Sequence, residues 1–267
     1  MSTTAAGIGQ SILLGEELGG GVVQLTLNRP EAFNSLSSAL MCELQDALDR
    51  LADDQGTRVI VITGAGRGFC AGHDLKEVRG LTTPEDRRDL MAQCCQLMLT
   101  VQRQPQPVIA KVRGVATAAG CQLVATCDLA LASDDARFAT PGVNIGLFCS
   151  TPMVALGRNV SRKHAMEMLL TGEVMDAPTA ARFGLINRHV PPDELDAATL
   201  ELAGSIAAKS AYTVKIGKQA FYRQLEMPVE EAYGYAAEVM VENMLAHDAQ
   251  EGITAFVEKR RPEWQDR

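Results

Sequence analysis

The chain has 267 residues, 46% hydrophobic and 22% charged, which suits one large domain or a core with a smaller appendage and excludes a disordered or collagen-like polymer. A formal net charge of −8 (25 Lys+Arg against 33 Asp+Glu) argues against nucleic acid and anionic lipid as bulk partners. Seven cysteines without any C-x-x-C spacing read as reduced, mostly buried thiols of a cytoplasmic protein, not as a disulfide framework or a zinc site.

Met1–Gln10 is small and polar, without the basic and apolar segments of a secretory leader. Ile12–Leu14 and Val22–Leu27 read as strands around the turn Gly19-Gly20-Gly21, and Arg29-Pro30 stops the second. Leu36, Leu40, Leu44, Leu48 and Leu51 then mark one face of a helix capped by Asn34 or Ser35. Val59–Thr63 is a continuous apolar run, as in a strand buried on both faces. A glycine-rich loop, Gly64 to Gly72, leads to a short polar helix from Asp74. Thr83-Pro84-Glu85-Asp86 starts the next helix, whose stripe is Leu90, Cys94, Leu97, Met98 and Val101.

Pro107–Val112 is a strand, Gly114–Gly120 a small-residue turn, and a short helix leads to the strand Leu129–Ala132. This alternation predicts an α/β architecture. Beyond about Pro191 the periodicities at Leu195–Ala208, Thr213–Leu225 and Pro228–Leu245 are helical, so the chain ends as a helical appendage packed on the core. No run approaches the roughly 18 apolar residues that a membrane-spanning helix needs, so no membrane insertion is expected.

Several chemistries lose ground. Gly64-Ala65-Gly66-Arg67-Gly68 follows a strand, but its glycine spacing is not that of a dinucleotide-binding turn. No Walker A, H-E-x-x-H or G-x-S-x-G run occurs, and His73, His164, His189 and His247 lack metal-ligand spacing; no metal is expected. What stands out is two loops rich in glycine and alanine at strand ends, Gly66–Glu77 and Gly114–Asp128. Small residues there let backbone N–H groups face a ligand, and one amide from each loop can form an oxyanion hole. Each donor of such a site is typically worth roughly 2.7–4 kcal/mol of transition-state stabilisation.

Taken in order, the segments resemble the enoyl-CoA hydratase/isomerase (crotonase) superfamily. Ala71-Gly72-His73-Asp74-Leu75 is similar to its A-G-x-D-[IL] signature, and Gly114-Val115-Ala116-Thr117-Ala118-Ala119-Gly120-Cys121-Gln122 to its second, G-x-A-x-G-G-G-x-E-like run. Leu27-Asn28-Arg29-Pro30 with Asn34, Phe138-Ala139-Thr140-Pro141, Leu170-Thr171-Gly172, Ala181–Leu185 and Phe256-Val257-Glu258-Lys259-Arg260 extend the likeness over nearly the whole chain. The runs A-G-H-D, A-A-G-C-Q-L and A-T-P-G-V-N-x-G-L-F-C-S-T-P resemble the enoyl-CoA hydratase domain-containing protein 3 branch more than true hydratases.

The resemblance implies a crotonase-type spiral of β-β-α turns over residues 1–205, which binds acyl-CoA, and a helical trimerisation region over 206–267. The assembly would be a homotrimer or homohexamer. The ligand would be a coenzyme A thioester of fatty acid metabolism, with no further cofactor, and the nominal reaction class that of a lyase. The resemblance places the thioester oxygen between the amides of His73 and Ala119. It lays adenine and pantetheine along Arg29, Glu31 and Phe33 and along Cys70, Ala71, Gly72, Asp74 and Leu75, with Gly120 beside them. Phe256 and Lys259 would meet the CoA phosphates, across a subunit boundary in many members.

The pattern breaks at two positions. The glutamate pair of the hydratases falls on Gln122 and Gly142. Glutamine holds water but does not take its proton at neutral pH, and glycine has no side chain. A positioned acid–base group contributes roughly 10²–10⁴-fold, so hydration is expected to be nearly abolished. Three readings stay open: enolate chemistry without the pair, a decarboxylase- or thioesterase-like reaction, and a non-catalytic acyl-CoA binder or regulator.

Overall fold

In the computed structural model, which describes residues 11–267, β1 (Leu13–Gly19) and β2 (Val22–Leu27) form an antiparallel hairpin. Its turn depends on Gly19 and Gly20, both in the left-handed region that other residues resist. The opening segment Met1–Gln10, read above as carrying no leader, lies outside the described residues. Strand β2 then pairs in parallel with β3 (Val59–Gly64), followed outward by β5 (Val108–Val112), β7 (Leu129–Ser133) and β10 (Arg188–Val190).

A second sheet is built from shorter strands: β4 (Gly68–Cys70), β6 (Val115–Thr117), β8 (Arg137–Ala139) and β9 (Met175–Asp176). The first three run parallel and β9 antiparallel. Successive turns therefore place one strand in each sheet (β3 and β4, β5 and β6, β7 and β8), with a helix between turns, as the spiral expectation requires. The short strands correct two expectations. Gly64–Gly72 is not wholly loop, since β4 lies inside it, and Gly114–Gly120 is not wholly turn, since it contains β6. Three-residue strands show too little alternation to be read from sequence; neighbouring turns of the spiral create them.

The continuous apolar run in β3 follows from burial on both faces. Ile60 and Ile62 point into the main core with α1 (Ser38–Ala52) and α3 (Pro84–Arg103). Val59 and Val61 point the other way, into a smaller core closed by α8 (Leu195–Ala207) through Leu195 and Ala203. Each such side chain contributes roughly 1.5–3 kcal/mol. The expected stripe of α3 is the buried one, and Thr83 caps that helix in a reciprocal pair with Asp86.

Helix α1 starts later than expected. Its cap is Ser37, which accepts from the Leu40 amide at 3.3 Å, while Asn34 sits at φ 54°, outside the extended backbone that a cap needs. Leu36 is left outside the helix, fully buried.

After α2 (Leu75–Gly80) and α4 (Ala119–Thr126), the chain adds α5 (Pro152–Asn159), α6 (Arg162–Thr171) and α7 (Ala177–Phe183). It closes with α9 (Ala211–Gln224), α10 (Val229–Leu245) and α11 (His247–Glu258). The expected boundary at residue 205 falls in the last turn of α8. Helix α9 is pinned to the core by Lys218. Its ammonium donates to Asp128 Oδ2 at 2.7 Å and to the Gln106 carbonyl at 3.0 Å, and Tyr222 donates to Asp128 Oδ1 at 2.9 Å. Burial lowers the Lys218 pKa and raises that of Tyr222. Among the described residues no helix is long and apolar enough to cross a membrane. All seven cysteines are free, with Cys42 and Cys95 exposed and the others buried.

Candidate functional site

The first glycine-rich loop is held from behind by the β2–α1 connection. The Asn34 side chain accepts from the Arg29 amide at 2.9 Å and donates to the carbonyls of Ala65 and Gly68 at 2.9 and 2.7 Å. Arg29 donates to the Ser35 carbonyl at 2.7 Å and forms an ion pair with Asp74 at 2.9 Å. Asp74 in turn caps α2 by accepting from the Lys76 amide at 3.0 Å. The Arg29 guanidinium holds the Asp74 carboxyl below its ordinary range.

This scaffold sets the direction of one amide. Leu36 donates to the Gly72 carbonyl at 2.7 Å, and Asp74 donates to the Leu36 carbonyl at 3.2 Å, forming a parallel bridge around His73. In extended backbone, alternate residues present their polar groups to opposite sides. The His73 N–H therefore faces away from Leu36, and it has no acceptor among the described residues.

The second loop meets the first at glycines. A Cβ on Gly72 would lie 2.8 Å from Ala118 Cβ and 3.2 Å from the Ala119 nitrogen, and one on Gly120 would lie 2.1 Å from the Cys70 carbonyl oxygen. Thr117 adds a hydrogen bond to the Ala71 carbonyl at 3.1 Å. Ala118 takes φ 49° and ψ −118°, an unusual conformation for alanine that typically costs about 1–3 kcal/mol. Its own amide is anchored to the Ala139 carbonyl at 2.9 Å, which supports the strained turn. Ala119 follows as the first residue of α4, where an amide has no partner within the helix. The corner thus carries two backbone donors, from His73 and Ala119, without internal acceptors.

The side chains around these amides are uncharged. Gln122, on the first turn of α4, is only 4% exposed, and its Oε1 has no partner. Thr140 follows β8, directly after the residue that anchors Ala118; it is fully buried with Oγ1 unpartnered. Both ring nitrogens of His73 are likewise buried and unpartnered, and burial lowers its pKa. An unpaired buried polar group typically costs about 1–3 kcal/mol. Native folds retain such groups where a ligand or water completes them.

Gly142 has no room for a side chain. A Cβ there would stand 2.6 Å from the Leu147 carbonyl oxygen and 2.9 Å from Cys149 Sγ. Burial pushes the Cys121 thiol up to about 12 and raises Cys149, so both are neutral. Neither Gln122 nor Gly142 carries a carboxylate. Sequence reasoning missed Thr140 as a site residue; its only signal was its place in the Phe138–Pro141 run.

The remaining candidates are spread more widely. Cys70 and Gly72 are buried at the junction of the loops, Ala71 is half-buried, and Leu75 is exposed at the start of α2. Glu31 and Phe33 are exposed, and Arg67, which sequence reasoning did not select, lies 5.4 Å over the Phe33 ring. Phe256 is 85% exposed near the end of α11, and Lys259 ends that helix with φ 55°. Helix α11 packs on α9 and α10, so a single chain does not bring these two residues to the corner. Two open concavities, about 320 Å³ beside Met168 and Phe183 and about 360 Å³ beside Arg58 and Tyr212, lie elsewhere and include none of the candidate residues.

The model of the enoyl-CoA hydratase/isomerase family matches residues 17–267. The chain is 47% identical over 248 residues to the mitochondrial enoyl-CoA hydratase domain-containing protein 3 of Homo sapiens, covering 91% of this chain and 80% of that protein. Among solved structures, an enoyl-CoA hydratase of Mycobacterium smegmatis superposes with a TM-score of 0.94 at 52% identity, covering 96% of this chain and 99% of that one. The human domain-containing protein 3 superposes with a TM-score of 0.89 at 46% identity, over 95% and 100% of the two chains.

Proposed function

The chain belongs to the enoyl-CoA hydratase/isomerase family, within the crotonase superfamily and its domain-containing protein 3 branch, and from that membership we propose that it binds an acyl-CoA thioester at the corner between β4 and α4. The observation that carries this reading is the pair of acceptor-free amides at His73 and Ala119. Gly72 and Gly120 let the two loops that carry them touch. A thioester oxygen between them gains negative charge as an α-carbanion delocalises, and fixed N–H dipoles stabilise that enolate without reorganising.

Hydration is not the reaction this chemistry favours. Gln122 can orient a water or a carbonyl but has no basic oxygen, and the Gly142 position is filled by the Leu147 carbonyl and Cys149. The protein on this reading holds an enolate-forming thioester without the proton shuttle. A second reading, a non-catalytic acyl-CoA binder, is favoured by the same two positions. The spiral of residues 1–205 would form the binding unit and 206–267 the oligomerisation unit of a homotrimer or homohexamer. Exposed Tyr233, Leu245 and Phe256 support that assembly. The free thiols suit the cytoplasm; relatives named mitochondrial make cell fractionation the test of that placement.

The deciding experiment is crotonyl-CoA hydration beside calorimetric titration with acyl-CoAs. Tight binding without hydration is the expected result. Hydration at the level of a family hydratase would overturn the inference from Gln122 and Gly142, and no binding would overturn the site itself.

A further inference from the structure

We propose that residues 260–267 form a clasp, a conformational device that closes on Asp248 and Arg58 and keeps α9 and α11 in the arrangement from which copies of this chain assemble. The inference rests on residues 206–267 being the oligomerisation unit, as read above, and names what controls that unit.

The clasp begins where α11 stops. Lys259, at φ 55°, reverses the chain, and the residues after it run back along the helix that precedes them. Arg260 pairs through both Nη atoms with Glu251, at 2.6 and 2.8 Å, and the Glu263 amide donates to the same carboxylate at 2.8 Å. Nearer the start of α11, Asp248 accepts from the amides of Gln265 at 2.8 Å and Asp266 at 2.9 Å, while its own amide donates to the Arg267 carbonyl at 3.0 Å. Between these anchors the Trp264 ring lies against Gly252, where a Cβ would come within 3.2 Å of it.

The other side of the clasp reaches two further bodies. Trp264 Nε1 donates to the Ala208 carbonyl, just after α8, at 2.9 Å. The Asp266 carboxylate accepts from the amide of Ala211, the first residue of α9, and from Arg58, the residue before β3, both at 2.7 Å. Among the described residues, Arg58–Asp266 is the one hydrogen-bonded ion pair that ties residues 247–267 to the spiral of residues 11–205.

These contacts are polar and depend on one another. Helix α11 buries Asp248 and Ala255, and α9 buries nothing. Asp248 is 1% exposed; burial pushes its carboxyl up, but hydrogen bonds from Ser210 and from the Gln265 and Asp266 amides outweigh that and hold it below its ordinary range. A buried carboxylate stripped of such donors is costly and draws in water, so the clasp and α11 open together. Segments with few buried apolar contacts open at a lower free energy than the whole fold. The exposed Tyr233 and Leu245 stand on α10 and Phe256 on α11, within the unit that the clasp ties to the spiral. Closure and assembly are therefore linked, and what shifts one equilibrium shifts the other.

The test is hydrogen exchange of the full chain beside light scattering, in Asp248→Asn and in the double variant Asp248→Asn with Asp266→Ala. Asparagine turns an N–H₂ group toward one of the two clasp amides. Exchange in α11 should rise at least about tenfold in the single variant, with β5 unchanged. The double variant releases both sides of the clasp, so its α11 should exchange as an open segment and its mass should fall to that of one chain. Wild-type exchange in α11 of the double variant, or a rise in β5 as large as that in α11, would overturn the clasp. An open α11 with wild-type mass would overturn its control of assembly. A wild type with the mass of one chain would remove the oligomerisation reading, and the exchange comparison would still decide whether the clasp holds α11.

Discussion

The corner between β4 and α4 and the three C-terminal helices are incomplete in opposite ways. At the corner, buried side-chain polar atoms of Gln122, Thr140 and His73 lack partners, and two backbone amides lack acceptors. Along α10 and α11, apolar side chains are exposed without partners: Tyr233 at 76%, Leu245 at 78% and Phe256 at 85%. The first deficit calls for a small molecule with hydrogen-bonding atoms, and the second for an apolar surface. The difference teaches what each region is built to meet. It also explains why the core tolerates strain at Ala118, since many buried contacts hold that turn, whereas α9 has no buried residue and depends on Lys218.

The largest expected effect breaks the corner. Gly120→Ala would place a Cβ 2.1 Å from the Cys70 carbonyl, backbone against backbone. It should cost about 3 kcal/mol of stability and abolish thioester binding, as read from urea unfolding and titration. A variant that keeps wild-type affinity would show that the loops need not touch.

The joint between the regions comes next. Lys218→Met leaves the half-buried Asp128 with only the Tyr222 and Val108 donors, at an expected cost of about 2–3 kcal/mol. Hydrogen exchange in α9 should rise before exchange in β5; uniform loss across the chain would mean that the two regions unfold as one.

A smaller effect sharpens the account of the first loop. The folded-state pKa of Asp74 is depressed by Arg29, so the pair stabilises the fold above the unfolded carboxyl pKa, about 3.9, and loses that contribution as pH falls through the folded value. Asp74→Asn should lose about 1 kcal/mol at neutral pH and show a shallower acid decline in stability. A decline identical to the wild type would remove the ion pair from the account. Least of all on stability, Tyr233→Glu with Leu245→Glu should change the unfolding free energy of a single chain by less than about 0.5 kcal/mol. In light scattering the same double variant should lower the mass to that of one chain, and an unchanged mass would place the assembly surface elsewhere.

Some of this was open to reading in the chain itself. The cap and stripe of α3, the apolar run of β3 and the two small-residue loops carry local signals, because capping, periodicity and glycine content act within a few residues. Gln122 and Gly142 were equally plain, since an amide or a hydrogen in place of a carboxylate is a matter of residue identity. The late start of α1 was not, because Asn34 leaves its capping role to clamp Ala65 and Gly68, more than thirty residues away. The strands β4 and β6 exist only through pairing between turns of the spiral.

The sequence by itself determined which groups the protein possesses: two loops rich in glycine and alanine, with an amide at position 122 and no side chain at 142. Only the tertiary structure decided which of those groups are left without partners. The His73 amide is free because Leu36 takes its neighbours, Gly142 has no space because Leu147 and Cys149 fill it, and Thr140 joins the corner because β8 pairs with β6. Partnership depends on direction and distance across the chain, and no local pattern of residues encodes it.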